Sequence, residues 1–310
     1  MTITQPIEYT INVHGRLTDL SRPQVMGILN VTPDSFYAGS RKQTEREIAE
    51  RACRIVEEGG TMIDVGAFST RPGAPEVSEA EEMERLRRGL GVVRRELPDA
   101  VLSVDTFRPD VARMAVEEYG VGIINDVSEG NIGGAFGGTD ASAYDITGGG
   151  NNGDNGGGKE APVPEMFRMV ARLGVPYIIM SLKPTRPAML KEFAREVQQL
   201  RDLGVKDIIL DPGFGFGKTL GQNYAIMAGL DRLQCLSLPV LVGVSRKSMV
   251  WRLLGGGPDD ALGGTTVLNT MALERGASIL RVHDVRQAVE AVKVTEAVSA
   301  APESCPEHDR

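Results

Sequence analysis

Eight short apolar runs recur along the chain, each followed by a stretch of helical period, and this alternation constrains the fold more than any other feature of the sequence. The runs are VMGILNV (25–31), TMIDVGA (61–67), AVLSVDT (100–106), GIINDVS (122–128), YIIMSL (177–182), DIILDPG (207–213), PVLVGVS (239–245) and SILRVHD (278–284). Their near-continuous hydrophobicity is that of strands buried on both faces of a parallel sheet, and segments such as SEAEEMERLRRGLGVVRREL (78–97) supply the helical crossovers. Eight such units in 310 residues predict an α/β protein folded as a single-domain TIM (β/α)8 barrel. A doubly wound open sheet is the competing arrangement of the same units.

Some regions fall outside the rhythm. Residues 1–24 read as a hairpin, EYTINV then RLTDL around His14-Gly15, placed to plug the barrel's N-terminal face. The barrel proper is expected over 25–297. A glycine-rich insertion at about 131–160, after the fourth run, is expected to be a flexible surface loop, because so much glycine makes ordering entropically costly. The tail from 298 to 310 is expected to be disordered.

Composition removes several function classes. Subtracting 42 acidic from 34 basic residues leaves −8, so no chain-wide positive field exists to gather nucleic acid or anionic lipid. Cys53, Cys235 and Cys305 are far apart in sequence and odd in number, which suits a reducing compartment and argues against a structural zinc site. No apolar run approaches the roughly 18 residues of a membrane span, and the N-terminus has no secretory pattern. The expectation is a cytoplasmic protein with a small-molecule substrate.

The polar residues sit where a barrel puts chemistry. Nearly every run carries one at its carboxyl end: Asn30, Asp64, Asp105, Asn125 with Asp126, Ser181, Asp211, Ser245 with Arg246 and Lys247, and Arg281 with His283. Polar groups in a doubly buried strand are costly unless paired, and in a barrel all these ends meet at one mouth. Capping of the following helix accounts for Ser181 or Asp126 singly, but not for all eight tips. Asp105, Asp211 and Asn125 offer planar acceptors for a flat heterocycle with adjacent N–H donors. Lys247, Arg281 and His283 are expected opposite them, as a cationic set for phosphate or pyrophosphate. His14 and His308 lie in the terminal segments, so any imidazole at the mouth is His283. DPGFGFGKT (211–219) and STRPGAP (69–75) read as loops over the mouth; the former lacks Walker spacing.

Taken together, GILNVTPDSF (27–36), STRPGA (69–74), SVDT (103–106), INDV (124–127), DPGFGFGKT, VGVSRKS (242–248) and RVHDV (281–285) resemble the dihydropteroate synthase family over about residues 25–295. The resemblance implies a pterin-binding TIM barrel, usually homodimeric, that joins 7,8-dihydropterin pyrophosphate to p-aminobenzoate in folate biosynthesis, is the target of sulfonamides, and uses Mg²⁺. It implies that Asp105, Asn125, Asp211 and Lys247 hold the pterin with Met180 lining the pocket. It implies that Asn30, Arg71, Arg281 and His283 receive the pyrophosphate, Asn30 acting through Mg²⁺. The p-aminobenzoate site would comprise Thr70, Arg71, Pro72, Phe216 and Ser248.

Three departures stand out: Ala38 where the first loop commonly carries an acid, Phe68 where an acid precedes STRP, and Ser181 where histidine commonly follows Met180. They keep two other readings in view. One is a methyltetrahydrofolate:corrinoid methyltransferase, a pterin barrel with no use for SRKS and RVHD. The other is a catalytically silent pterin-binding homologue.

Overall fold

A computed structural model of the chain describes residue 4 and residues 7–31, 38–68, 77–130 and 163–301, with the backbone alone for 38–43. A two-stranded antiparallel hairpin opens it, β1 (Thr10–Val13) and β2 (Arg16–Asp19), turning through His14 and Gly15 at φ 52° and 81°. Eight parallel strands follow: β3 (Gln24–Asn30), β4 (Met62–Gly66), β5 (Leu102–Asp105), β6 (Ile123–Asp126), β7 (Tyr177–Met180), β8 (Ile208–Asp211), β9 (Leu241–Val242) and β10 (Ile279–Val282). Their spatial order is β8-β7-β6-β5-β4-β3-β10-β9, and a Leu210–Val240 bridge brings the two edge strands together to close the barrel. All eight expected runs are strands, and the doubly wound alternative falls.

Outside the strands lie α1 (Ala38–Glu57), α2 (Glu79–Glu96), α3 (Pro109–Tyr119), α4 (Glu165–Leu173), α5 (Arg186–Asp202), α6 (Leu220–Ala228), α7 (Ser248–Leu254), α8 (Leu262–Leu273) and α9 (Val285–Ser299). None of them is long and apolar enough to cross a membrane.

Period-two geometry explains why strands that look uniformly apolar still make a polar mouth. One set of strand residues, including Leu29, Val65, Val104, Ile124, Ile179, Leu210 and Leu280, packs against the helices in the main core. The alternate set, Met26, Met62, Ile123, Ile178, Ile209, Leu241 and Ile279, forms a second buried cluster with Ile11, Val13 and Leu20 of the hairpin segment. The hairpin therefore supplies apolar side chains to the N-terminal floor of the barrel. Two residues further along each of several strands, on the same inward side, stand Asp64, Asn125, Met180, Asp211 and Arg281. The inward face thus changes from apolar floor to polar mouth within a single step of the pleat.

The glycine-rich insertion, the chain beyond 301, and Thr70, Arg71 and Pro72 all lie outside the described residues, as does the side chain of Ala38.

Candidate active site

Asp64 is the deepest charged group of the mouth. It is completely buried on β4, and its Oδ2 accepts from Arg281 Nε at 2.6 Å and from Asn125 Nδ2 at 3.1 Å. Arg281 Nη2 donates to Asp105 Oδ2 at 2.7 Å. Across β4, a Cβ added at Gly66 would stand 3.6 Å from Asp105 Cβ and 3.7 Å from Asn30 Oδ1, so Asp105 and Asn30 flank one bare stretch of backbone.

Asp211, at the end of β8, pairs in register with Met180 of β7. Its Oδ1 accepts the Gly213 N–H at 2.7 Å. Gly213 has φ +66°, and a side chain there would meet the Ser181 carbonyl oxygen at 2.3 Å, so the tight turn behind the acid requires glycine. Lys247 Nζ donates to the Phe214 carbonyl and stands 4.5 Å over the Phe216 ring. Arg246, just before it, has φ +55°, a left-handed turn held by bonds from its guanidinium to Asp284 at 3.0 and 2.7 Å and from its N–H to Thr265 Oγ1 at 3.1 Å. Ser248 begins α7 beside Lys247.

The titration of these groups follows their enclosure. Burial raises the carboxyl of Asp105 to about 7, with Arg281 opposing and Asp64 adding to the rise. Burial also raises Asp211, against the pull of Lys247 and the Gly213 N–H. Lys247 is lowered to about 8 by burial, with Asp211 resisting. Burial works against the charge on Arg281 too, yet Asp64 and Asp105 more than offset it and its pKa is raised.

His283 Nδ1 is 3.2 Å from Ser245 Oγ, which also accepts the His283 backbone N–H at 3.1 Å. A cavity of about 490 Å³ opens beside it, shared with Asn30, Arg51, Arg54 and Arg246. Arg51 sets that wall by donating to the Ile28 and His283 carbonyls, at 3.3 and 2.7 Å.

Two expectations need correction. The cations do not face the acids from a separate wall: Arg281 lies between Asp64 and Asp105, because a carboxylate as fully enclosed as Asp64 requires a counterion within hydrogen-bond reach. His283 is no cation at neutral pH, since burial and the neighbouring Arg281 lower its pKa to about 4; it offers a neutral imidazole.

Sequence reasoning gave Asp64 no role, although its place at a strand tip was visible. It also gave none to Lys218, whose Nζ ties the Ser181, Gly213 and Phe216 carbonyls at 2.8, 2.9 and 3.4 Å and so pins the loop after β8. Two of the three departures, Phe68 and Ser181, are absorbed locally. Phe68 packs edge-on against Phe107 at 5.5 Å, and Ser181 Oγ accepts the Lys183 N–H at 3.1 Å. Asp126 faces away from the mouth and accepts from Ser128 N, Gly130 N and Tyr177 Oη; it ties down the loop after β6 and caps none of the described helices, since α4 begins only at Glu165.

A further acid cluster, Glu129, Glu192 and Glu196, has one oxygen of each within 4.8 Å of the others. Lys183 Nζ reaches Glu129 at 3.0 Å and Arg195 reaches Glu192 at 2.5 Å, so protein cations already neutralise much of it. Burial and then Glu129 and Glu192 raise Glu196 to about 9. A carboxyl raised on folding binds protons the unfolded chain releases, so stability falls as pH climbs from about 4.5 towards 9. Glu196→Gln is expected to lose about 1–3 kcal/mol less than the parent across that window in urea melts; parallel curves would contradict this.

Comparison with known proteins adds kinship to this geometry. Residues 26–283 match the family model described as "Pterin binding enzyme". The dihydropteroate synthase of Escherichia coli (strain K12) is 36% identical over 305 residues, covering 94% of this chain and 96% of the relative. The solved structure of Xanthomonas albilineans dihydropteroate synthase with 4-aminobenzoic acid superposes with a TM-score of 0.77 at 34% identity, covering 96% of this chain and all of that one. The same organism's enzyme in complex with 7,8-dihydropteroate gives 0.74 at 31% identity, over 94% and 99% of the two chains.

Proposed function

We propose, from the premise that this chain belongs to the pterin-binding enzyme family and, within it, to the dihydropteroate synthases, a working assignment of its mouth. The chain condenses 7,8-dihydropterin-6-ylmethyl pyrophosphate with p-aminobenzoate and releases pyrophosphate. The observation that carries the assignment is the inward cluster of Asp64, Asp105, Asn125, Asp211, Lys247 and Arg281 at the strand tips.

Asp105, Asn125 and Asp211 are the ring-binding acceptors and Lys247 the ring-binding cation, with Met180 as an apolar wall. The C–O bond to pyrophosphate breaks first, its electron pair leaving with the phosphate oxygen and positive charge spreading into the electron-rich pterin. Asp105 and Asp211 stabilise that charge as it develops. Arg281 gives charge-assisted hydrogen bonds to the departing anion, and neutral His283 adds a neutral hydrogen bond. The arylamine nitrogen then forms the C–N bond and releases its proton to solvent; no covalent enzyme intermediate is needed.

Mg²⁺ fits the site as a shared ion. Asn30, an exposed residue that lines the His283 cavity, has an amide oxygen to offer, and a hard ion held by one neutral protein oxygen takes its remaining ligands from water and phosphate. When bound, it would neutralise charge on the leaving group. Phe216 and Ser248, beside Lys247, are assigned to p-aminobenzoate, together with Thr70, Arg71 and Pro72 from the loop after β4; Arg71 is also assigned to the pyrophosphate side. Exposed Leu253, Leu254 and Val267 on α7 and α8 support a homodimer through that face. We assign the chain to the cytoplasm.

Purified protein supplied with dihydropterin pyrophosphate, p-aminobenzoate and Mg²⁺ is expected to form dihydropteroate and release pyrophosphate. Absence of product with both substrates present would refute the assignment.

A further inference from the structure

We propose that Asp64 is a positioning residue coupling the two halves of the mouth, because one of its carboxylate oxygens holds both Arg281 and Asn125. The proposal rests on the synthase reading and deepens it.

Chemistry dictates the arrangement. A carboxylate can only accept, so Asn125 must present its Nδ2 to Asp64 Oδ2, at 3.1 Å, and its Oδ1 is turned away. That Oδ1 is buried and has no hydrogen-bond partner among the described residues, which leaves it as an acceptor for an N–H of a bound ring. The same Asp64 oxygen takes Arg281 Nε at 2.6 Å. Arginine and a carboxylate often pair through both oxygens, but Arg281 Nη2 is taken by Asp105 and leaves only Nε for Asp64. Here both donors crowd onto Oδ2, and Asp64 Oδ1 is left buried without a partner among the described residues.

The two acids on Arg281 differ in access. The Asp64 side chain is 0% exposed and that of Asp105 is 23% exposed. An anion entering the mouth can compete with Asp105 for Nη2, whereas Nε stays on Asp64. Drawing Nη2 from Asp105 frees that carboxylate for the ring. Pyrophosphate and pterin therefore favour each other's binding, with Asp64 as the fixed pivot.

The test measures the affinity of 6-hydroxymethyl-7,8-dihydropterin by calorimetry with and without magnesium pyrophosphate, alongside turnover, in the parent and in Asp64→Asn. In the parent, pyrophosphate is expected to tighten the pterin by about fivefold or more. In Asp64→Asn that ratio falls towards one and kcat drops about 30-fold or more, while KM for p-aminobenzoate stays within about threefold. An active parent without coupling, or a variant that keeps both coupling and kcat whatever its melting temperature, overturns the proposal. A parent that forms no product refutes the synthase reading instead. Should the variant not fold, the Arg281 Nε–H resonance of the labelled parent decides: protection retained on adding pyrophosphate supports the pivot, and its loss overturns it.

Discussion

Lys247→Ala is expected to weaken pterin binding by about 2–4 kcal/mol, a factor of roughly 30 to 800. The size of the loss follows from where the ammonium sits. It is bound to the Phe214 carbonyl, lies 4.5 Å over the Phe216 ring, and is the main charge resisting the rise in the Asp211 pKa. Without it, Asp211 is a buried acid lacking its principal counterion, and its pKa is pushed further up, against the carboxylate form that serves the ring. Asp211→Asn removes the other partner and is expected to cost a similar amount. Because Lys247 titrates near 8, its charge is present below that pH, and pterin affinity in the parent falls as pH rises through 8. Calorimetric titration checks all three expectations, with circular dichroism as the folding control. Parent-like affinity in either variant would mean that the ring binds elsewhere.

Arg281→Leu combines a catalytic and a structural loss. It deletes the donor to the leaving group, a change expected to lower kcat by about 10²–10³. It also strips Asp64 and Asp105 of the cation between them, and breaking a buried pair costs about 3–5 kcal/mol. The sign of its pH dependence follows from Asp105, which is already raised and rises further once Arg281 is gone. A carboxyl raised on folding contributes less stability as pH climbs through its folded pKa, so the variant loses more stability than the parent between about pH 5 and 8. Single-turnover kinetics and melts at those two pH values measure both parts. A variant with undiminished kcat would remove Arg281 from the leaving-group role.

The barrel could be read in the sequence because its evidence is periodic. Eight β-rich runs spaced by helices leave few topologies, and each run maps onto one of the strands β3 to β10. The polar tips were legible for a related reason: in Met62-Ile-Asp64, Ile123-Ile-Asn125 and Ile209-Leu-Asp211 a floor residue and a mouth residue are two apart and so share a face. Pairing between strands was not legible. Asp64 and Arg281 are 217 residues apart, and nothing local in either run tells which acid receives the guanidinium. The neutral state of His283 was hidden likewise, since it depends on burial and on an arginine whose position the fold alone fixes. Lys218 stands in the DPGFGFGKT motif, but its part in gathering three carbonyls appears only once the loop is closed.

One inward ring of strand-tip residues is expected to receive both ends of a single substrate. The most direct measurement is a crystal structure of the protein soaked with dihydropterin pyrophosphate and Mg²⁺, without p-aminobenzoate. The ring should lie against Asp105, Asn125, Asp211 and Lys247, with its diphosphate on Arg281, His283 and Asn30 and the Arg281–Asp105 contact opened. A ring seated in the Arg51–Arg54 cavity, or a diphosphate with no contact to Arg281, would contradict it.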